Sequence, residues 1–247
     1  ELREKFSLRA KEGWSVLEAR RKLLEITNPD QCLQRISYRP FDTRYIFFDE
    51  SVVWTTARAT MDSLVDGKNI CLATARSEKS GTCSHFFVSN KLVETKFSER
   101  TTQSAVFPLY LHSSGGLDAT KKRTNIAPSV IKKYQEILGE APKPLELFDY
   151  IYGVLHSLKY REKFRAFLRS DFPRIPWPKS KKVFEDVSSK GTQLRRLHLM
   201  EAAIVGETPF PFKGDGDRVV AGTEFKAGQI WINDSQYFEG ATAVSWD

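Results

Sequence analysis

The most informative stretch of the chain is Ile36-Ser-Tyr-Arg-Pro-Phe-Asp-Thr-Arg-Tyr-Ile-Phe-Phe48. It combines aromatic residues, two arginines and an aspartate. The proline and aspartate in its middle favour a turn at 40–42, between strands at about 34–39 and 43–48. The stretch therefore predicts a strand–turn–strand unit at the beginning of a β-rich region.

The side chains of this unit allow two interpretations. In the structural one, Asp42 caps the turn and pairs with Arg44. The aromatic residues then pack a core: Tyr38, Phe41, Tyr45 and Phe47. In the functional one, Arg39 and Arg44 reach phosphates or guanine edges, because arginine is the commonest bidentate reader of guanine. We expect the structural interpretation for Tyr38, Phe41 and Asp42, and both stay open for the two arginines.

Further strands and several helices follow this unit. Strand patterns occur at 69–75, 84–89 and 105–111, and a Gly/Ser/Lys-rich segment at 112–127 predicts a mobile connection. Helices are predicted at 15–27, 56–65, 128–138, 144–157, 159–169 and 180–203. Short strands are predicted at 218–222 and 229–232. The predicted fold class is α+β, with a β-rich subdomain, a helical subdomain and a short C-terminal β region.

Composition limits the classes of function that the chain can have. The 247 residues carry 38 Lys+Arg against 31 Asp+Glu, a net charge of +7, which favours a polyanionic partner. Apolar runs of membrane-spanning length and a signal peptide are lacking, so we expect a cytoplasmic protein. The cysteines Cys32, Cys71 and Cys83 have no CxxC spacing and read as reduced thiols. Zinc is not expected, since only Cys83 and His85 lie close together.

Two polar linkers, 76–83 and 94–104, are the best candidates for DNA contact, while an ordinary solvated loop stays open as the alternative for each single residue in them. Both mix basic, acidic and hydroxyl residues, which suits base reading: Gln for adenine, Arg and Lys for guanine, Glu for the cytosine amine. The run 121–123 suits phosphates instead, and the basic helix at 159–169 allows either a phosphate-facing or a solvated interpretation. The candidate DNA-binding residues are Arg39, Arg44, Arg76, Lys79, Lys91, Lys96, Arg100, Gln103, Lys121, Lys122, Arg123, Arg161 and Arg165.

Catalytic motifs are mostly missing. The sequence has no phosphate-binding loop, no dinucleotide fingerprint and no nucleophile elbow, and His156 is expected to be a packed or capping residue. One alternative function is a metal-dependent nuclease in which Asp217, Glu224 and Lys226 form an Asp…Glu-x-Lys pattern. A second alternative is a protein-interaction module whose basic charge is incidental.

Three ordered segments resemble one protein family. Residues 38–45 match a Y-R-P-F-D-x-R-Y signature. Residues 150–176 match Y-I-Y-x-V-L-H-S followed by D-F-P-R-I-P. Residues 228–240 are similar to an I-x-I-N-x-x-Q-Y-F-E-G segment. Together they resemble the C-terminal specificity region, or target recognition domain, of type ISP restriction-modification enzymes and their type IIG relatives.

The resemblance implies a sequence-specific reader of double-stranded DNA that catalyses nothing itself. It implies a parent polypeptide with an upstream adenine methyltransferase and restriction endonuclease activity, using S-adenosylmethionine and Mg²⁺, whereas no cofactor or metal is expected in this part. The first residue is not methionine, and the chain ends at Asp247, which predicts a fragment. The expected division is a helical connector at 1–33, a β-rich specificity subdomain at 34–112, a helical subdomain at 113–205 and short C-terminal strands at 206–247.

Overall fold

A computed structural model describes residues 14–79, 81, 83–112 and 122–246, with only the backbone at 245. The chain divides into two compact units, the first ending at Met200 and the second beginning at Glu201. Helices and several small sheets alternate along it, so the predicted α+β class is confirmed. None of the helices that the structure describes combines the length and the apolar character needed to cross a bilayer.

The elements of the first unit follow the predicted order closely. Its helices are α1 (Val16–Glu25), α2 (Arg58–Met61), α3 (Pro128–Leu138), α4 (Pro144–Leu155), α5 (Leu158–Leu168) and α6 (Lys181–His198). Its strands are β1 (Leu33–Arg39), β2 (Asp42–Phe47), β3 (Cys71–Ala75), β4 (Phe87–Ser89), β5 (Leu92–Val93), β6 (Ser104–Pro108), β7 (Tyr110–His112) and β8 (Lys122–Thr124). Short 3₁₀ turns span Pro29–Cys32 and Asp62–Leu64.

The quoted stretch forms an antiparallel hairpin. β1 pairs with β2 from Leu33↔Phe47 to Arg39↔Asp42, and β5 joins the other edge of β1 in parallel. Ile36 and Phe48 are buried together with residues of β3 and β5. The hairpin is therefore anchored through one part of its length, while its turn at Pro40 and Phe41 extends away from this core.

A second sheet, in the order β4–β3–β6, is antiparallel throughout. Its central strand β3 is almost completely buried, with Cys71, Ala73 and Ala75 inaccessible to solvent. Small side chains at these positions let neighbouring layers approach closely. The 76–83 linker leaves this sheet after β3, and the 94–104 linker leads from β5 into β6, so the sheet helps to position the candidate site.

The helical part is built around the crossing of α4 and α6. α4 begins with Pro144 at its first position and with a hydrogen bond from the Lys143 amide to the Glu146 carboxylate. A side chain at Gly153 or Gly191 would collide with the backbone of the facing helix. The two glycines therefore permit the close crossing.

A buried ion pair spans the same crossing. Arg195 on α6 donates to both carboxylate oxygens of Asp149 on α4, over 2.6 and 3.1 Å, and Thr192 donates to the same carboxylate over 2.6 Å. Both charged side chains are buried. A shift of one helix along the other would separate the pair and leave two buried charges unpaired, which costs free energy. The ion pair therefore holds the two helices in one register.

The second unit contains α7 (Ala202–Val205), β9 (Phe212–Lys213), β10 (Glu224–Lys226), β11 (Gln229–Trp231), β12 (Tyr237–Glu239) and α8 (Ala243–Trp246). Its four strands form an antiparallel sheet in the order β10–β11–β12–β9. The prediction of a strand at 218–222 is wrong. Side chains bind the backbone there instead: Asp217 accepts from the Val219 amide, and Asn233 donates to the Val219 carbonyl.

Candidate nucleic-acid interface

Three segments of the first unit meet around one cleft of about 530 Å³. They are the β1–β2 turn, the described part of the 76–83 linker and the 94–104 linker. We call this space the loop cleft; its charged lining residues are Arg39, Glu78, Lys79, Lys96, Glu99 and Arg100. The structure thus brings together four of the predicted DNA-binding residues, which are distant in sequence. Four basic groups against two acidic ones give the cleft a net positive charge.

The acidic side chains of the loop cleft hold their own loops in place. The Glu99 carboxylate accepts from the Thr101 hydroxyl and the backbone amides of Thr101 and Thr102. Burial raises the pKa of Glu99, but these hydrogen bonds outweigh it and the net pKa is lowered. The buried Glu78 accepts from the amides of Gly81 and Cys83. Both carboxylates therefore have protein partners already.

The basic side chains are bound more loosely. Lys79 and Arg100 are exposed on the rim, and the Lys96 ammonium donates to the Thr101 carbonyl over 3.0 Å. Arg39 pairs with Glu94 and lies 4.1 Å above the Tyr38 ring. Such groups are able to exchange an internal partner for a phosphate oxygen at low cost, because partly exposed ion pairs contribute little stability.

Arg44 lies at the same hairpin. Its guanidinium is 3.9 Å from the Tyr38 ring centroid and pairs with Asp42 over 2.9 Å. The Asp42 hydrogen bond is the main cause of the raised pKa of Arg44. The expected Asp42–Arg44 pair is thus present, and the Tyr38 ring contacts both arginines, which orients them.

A second depression adjoins the hairpin. We call it the hairpin groove; it is lined by Arg35, Arg39, Phe41, Asp42, Lys91 and His198, among others. Burial, and then the nearby Arg35, lower the pKa of Lys91. Arg39 lines both the hairpin groove and the loop cleft. The two depressions therefore share one cationic border.

The remaining candidates lie apart from these depressions. Arg76 pairs with Asp171 over 3.2 Å, and Lys122 lies 3.5 Å from Asp66. The side chains of Gln103 and Arg123 are exposed. Lys121, and most of the predicted mobile connection, fall outside the described residues.

The two candidates on α5 differ in their surroundings. Arg161 turns inward, where its guanidinium donates to the Leu155 carbonyl over 2.7 Å and lies 2.9 Å from His156 Nδ1. Burial lowers the pKa of Arg161. Arg165 is exposed. A DNA contact by Arg161 stays a prediction, and it requires the side chain to leave this network.

Two partly buried histidines form a polar cluster with Tyr152 at the hairpin groove, which His198 lines. The Tyr152 hydroxyl lies 2.6 Å from His198 Nδ1, and the rings of His156 and His198 are 5.1 Å apart. Burial is the main cause that lowers the pKa of His156 to about 3. The expectation that His156 is packed at a helix end is confirmed, since it is the C-cap of α4.

His85 is a polar residue that sequence reasoning missed. It lines the loop cleft but is only 3% exposed. Neither ring nitrogen has a hydrogen-bond partner in the described part of the chain. Burial lowers the pKa of His85, which favours the neutral form of the imidazole.

The expectation that Phe41 and Tyr45 pack a core is wrong. Their side chains are 63% and 71% exposed. Tyr45 lies in a run of exposed residues on β2, with Thr43 and Arg44 before it, and Phe41 occupies the tip of the turn. The one sequence feature that indicates exposure of Phe41 is its place directly after Pro40, at the second central position of a turn.

The nuclease alternative finds no support in the geometry. The side chains of Glu224 and Lys226 are exposed on β10, and the Asp217 carboxylate is bound to its own loop. Within the described ranges, no three His, Cys, Asp or Glu side chains are grouped so that they could hold a metal ion.

Comparison with known proteins gives a consistent family assignment. The family model described as the type ISP C-terminal specificity domain matches residues 1–247. A comparison with curated proteins gives no match. The fold is similar to part of a cryo-electron-microscopy structure of a DrdV–DNA complex, with a TM-score of 0.70 at 21% identity, covering 87% of this chain and 22% of that one.

Two further structures have the same fold. For the ATP-dependent type ISP restriction-modification enzyme LlaBIII bound to DNA, the TM-score is 0.69 at 18% identity, covering 93% of this chain and 15% of that one. For a nuclease-deletion mutant of the type ISP enzyme LlaGI with a DNA substrate mimic, it is 0.59 at 20% identity, covering 85% and 18%. The chain thus spans less than a quarter of each of these proteins.

Proposed function

The chain belongs to the family of type ISP C-terminal specificity domains, and on this premise we propose that it recognises double-stranded DNA for a bacterial restriction-modification enzyme. The proposal is carried by the loop cleft. Three segments that are distant in sequence converge there and direct four basic side chains into one space. Convergence of this kind is what neutralisation of adjacent phosphates requires.

The internal use of carboxylates supports the proposal further. Glu78 and Glu99 accept hydrogen bonds from their own loops, so they stiffen the linkers that carry Lys79 and Arg100. A stiff loop loses less conformational entropy when it binds. In our proposal, the polar side chains of the 76–83 and 94–104 linkers, which include Arg76 and Gln103, read the bases, and Lys91 in the hairpin groove assists them.

The wider enzyme is proposed by family analogy. DrdV, LlaBIII and LlaGI were each solved with DNA or a DNA mimic. In our proposal, this chain positions DNA for an adenine methyltransferase in the same polypeptide, which uses S-adenosylmethionine, while Mg²⁺ serves a nuclease located elsewhere. The four-part division is also proposed: a connector at 1–33, a specificity subdomain at 34–112, a helical subdomain at 113–205 and C-terminal strands at 206–247.

A salt titration tests the proposal. Fluorescence anisotropy measures affinity for a labelled duplex of mixed sequence at several salt concentrations. Each phosphate contact adds about −0.9 to the log–log slope. Replacing Lys79 and Arg100 together by alanine should therefore weaken binding and make the slope less steep by about 1.8.

The control is Lys132→Ala, which removes an exposed charge of the same sign from α3. The salt slope of Lys132→Ala should equal that of the wild-type chain. A wild-type slope near zero, or a double variant indistinguishable from wild type, would show that the loop cleft does not bind the phosphate backbone. The protein-interaction alternative would then be favoured.

A further inference from the structure

The turn between β1 and β2 has an unusual residue at its tip. Arg39 pairs with Asp42, so Pro40 and Phe41 are the two central residues. Phe41 has a φ of 65°, in the left-handed region. Proline followed by a residue of positive φ is typical of a type II turn, which prefers glycine or asparagine at the second place. A phenylalanine at this position is unfavourable for the backbone.

The ring gains little from burial in return. The Phe41 side chain is largely exposed, and its ring makes an edge-to-face approach to His198, with centroids 5.8 Å apart. A core role would require a buried ring, and a turn role would be better served by glycine. Strained backbone positions of this kind occur preferentially at binding sites.

The surroundings of the ring are cationic. Arg39 and Arg44 both lie against the neighbouring Tyr38 ring, and Arg35 and Lys91 line the hairpin groove beside Phe41. Asp42, the acidic residue at the tip, is already paired with Arg44. A partner that covers Phe41 must therefore offer both an apolar face and negative charge. Stacked bases flanked by phosphates have this combination.

We propose that Phe41 is a stacking residue that places its ring against the bases of bound duplex DNA at a locally unstacked step. This inference rests on the proposed function and adds a specific contact to it. Arg39 and Arg44 hold the adjacent phosphates, and the turn leaves the Phe41 ring largely exposed beside them. Apolar side chains that enter a base step in this way unstack and bend the duplex.

The test compares duplex binding and stability in the same variants. The probe is a duplex that the wild-type chain enriches from a randomised library, labelled for anisotropy. Phe41→Asn removes the ring and suits positive φ, so the melting temperature should not fall. Affinity should drop by about tenfold, as for the loss of one aromatic–base stack. The salt slope should stay unchanged because no phosphate contact is lost.

Two further variants complete the design. Phe41→Trp keeps an aromatic face and should bind as tightly as wild type. Trp54→Asn removes another exposed aromatic ring, outside the hairpin groove, and should leave affinity unchanged. In the wild-type complex, 2-aminopurine placed at successive positions should become more fluorescent at one step, and Phe41→Asn should abolish this increase.

The outcomes separate the two proposals. If the wild-type chain enriches no duplex and binds none, the proposed function fails and the stacking role fails with it. If the wild type binds and Phe41→Asn binds equally well, the stacking role alone is wrong. A tenfold loss in Phe41→Trp, or a shallower salt slope in Phe41→Asn, would also overturn it, since either result assigns the effect to backbone or phosphate contacts.

Discussion

Gly191→Ala should destabilise the first unit, because it adds one carbon at the crossing of α4 and α6. A Cβ atom at Gly191 would lie 1.8 Å from the Asp149 carbonyl oxygen, whereas real Cβ contacts stay above 3.0 Å. The helices must therefore separate by about 1.2 Å along this direction, the difference between the two distances. The obstacle is backbone, so no side-chain rotation relieves it.

Two opposing effects set the magnitude. Alanine is a better helix former than glycine by about 1 kcal/mol. Overpacking costs about 1–3 kcal/mol, or more where backbone must move, and the separation also stretches the 2.6 Å hydrogen bonds that Asp149 accepts from Thr192 and Arg195. The overpacking cost should exceed the gain in helix propensity, and we expect a net loss of about 2 kcal/mol in the free energy of unfolding. This corresponds to a fall in melting temperature of about 4–8 °C.

Chemical denaturation followed by circular dichroism measures the difference. Ser189→Ala, an exposed position on the same helix, controls for helix propensity and should change the stability by less than about 0.5 kcal/mol. Gly222→Ala, with open space around the added carbon, controls for the loss of a glycine. A Gly191→Ala protein as stable as wild type would refute the claim that this crossing requires glycine.

Three other expectations concern buried polar groups. Asp149→Ala and Arg195→Met should each cost about 3–5 kcal/mol, and the double variant should cost less than their sum, as a double-mutant cycle would measure. The pKa of His156 is about 3 in the folded protein, against the ordinary histidine value of 6.5. The unfolded state therefore binds one more proton than the folded state between pH 6.5 and about pH 3, and the free energy of unfolding falls with decreasing pH by up to about 1.4 kcal/mol per pH unit. In urea unfolding at several pH values, His156→Asn should make this fall less steep. His85→Leu should stabilise the protein by about 1 kcal/mol, because it removes a buried imidazole that lacks a partner among the described residues; a lower melting temperature would contradict this.

Sequence reasoning predicted the helices best. Apolar periodicity and terminal prolines mark α3 and α4, and both begin at the predicted residue. The strands of the second unit were harder, because β10 and β12 have only three residues each and their pairing depends on contacts distant in sequence. Val219 and Val220 suggested a strand from their residue type alone. In the structure, the Val219 amide donates to the Asp217 carboxylate and the Val219 carbonyl accepts from the Asn233 side chain.

The candidate site shows a similar limit. Charge and linker composition indicated the residues that now line the loop cleft, but charge alone does not tell which arginines turn inward. Arg161 and Arg165 are both on α5, yet one donates to the Leu155 carbonyl and the other is exposed. That difference depends on which face of α5 meets the C-terminal end of α4, where Leu155 and His156 lie. Exposure of Phe41 was likewise not predicted, because an aromatic residue in a strand–turn–strand normally indicates core and only its place after Pro40 pointed to the surface.

The separation between scaffold and contact residues has a consequence for specificity. Asp149, Arg195 and Gly191 fix the α4–α6 crossing, and the small side chains of β3 fix the sheet behind the cleft. None of these groups lines the loop cleft. The linkers carry their own hydrogen-bonded carboxylates, such as Glu99 with Thr101. Changes at rim positions such as Arg100 should therefore alter the proposed DNA contacts without weakening the core, so that the same scaffold is able to carry different contact residues.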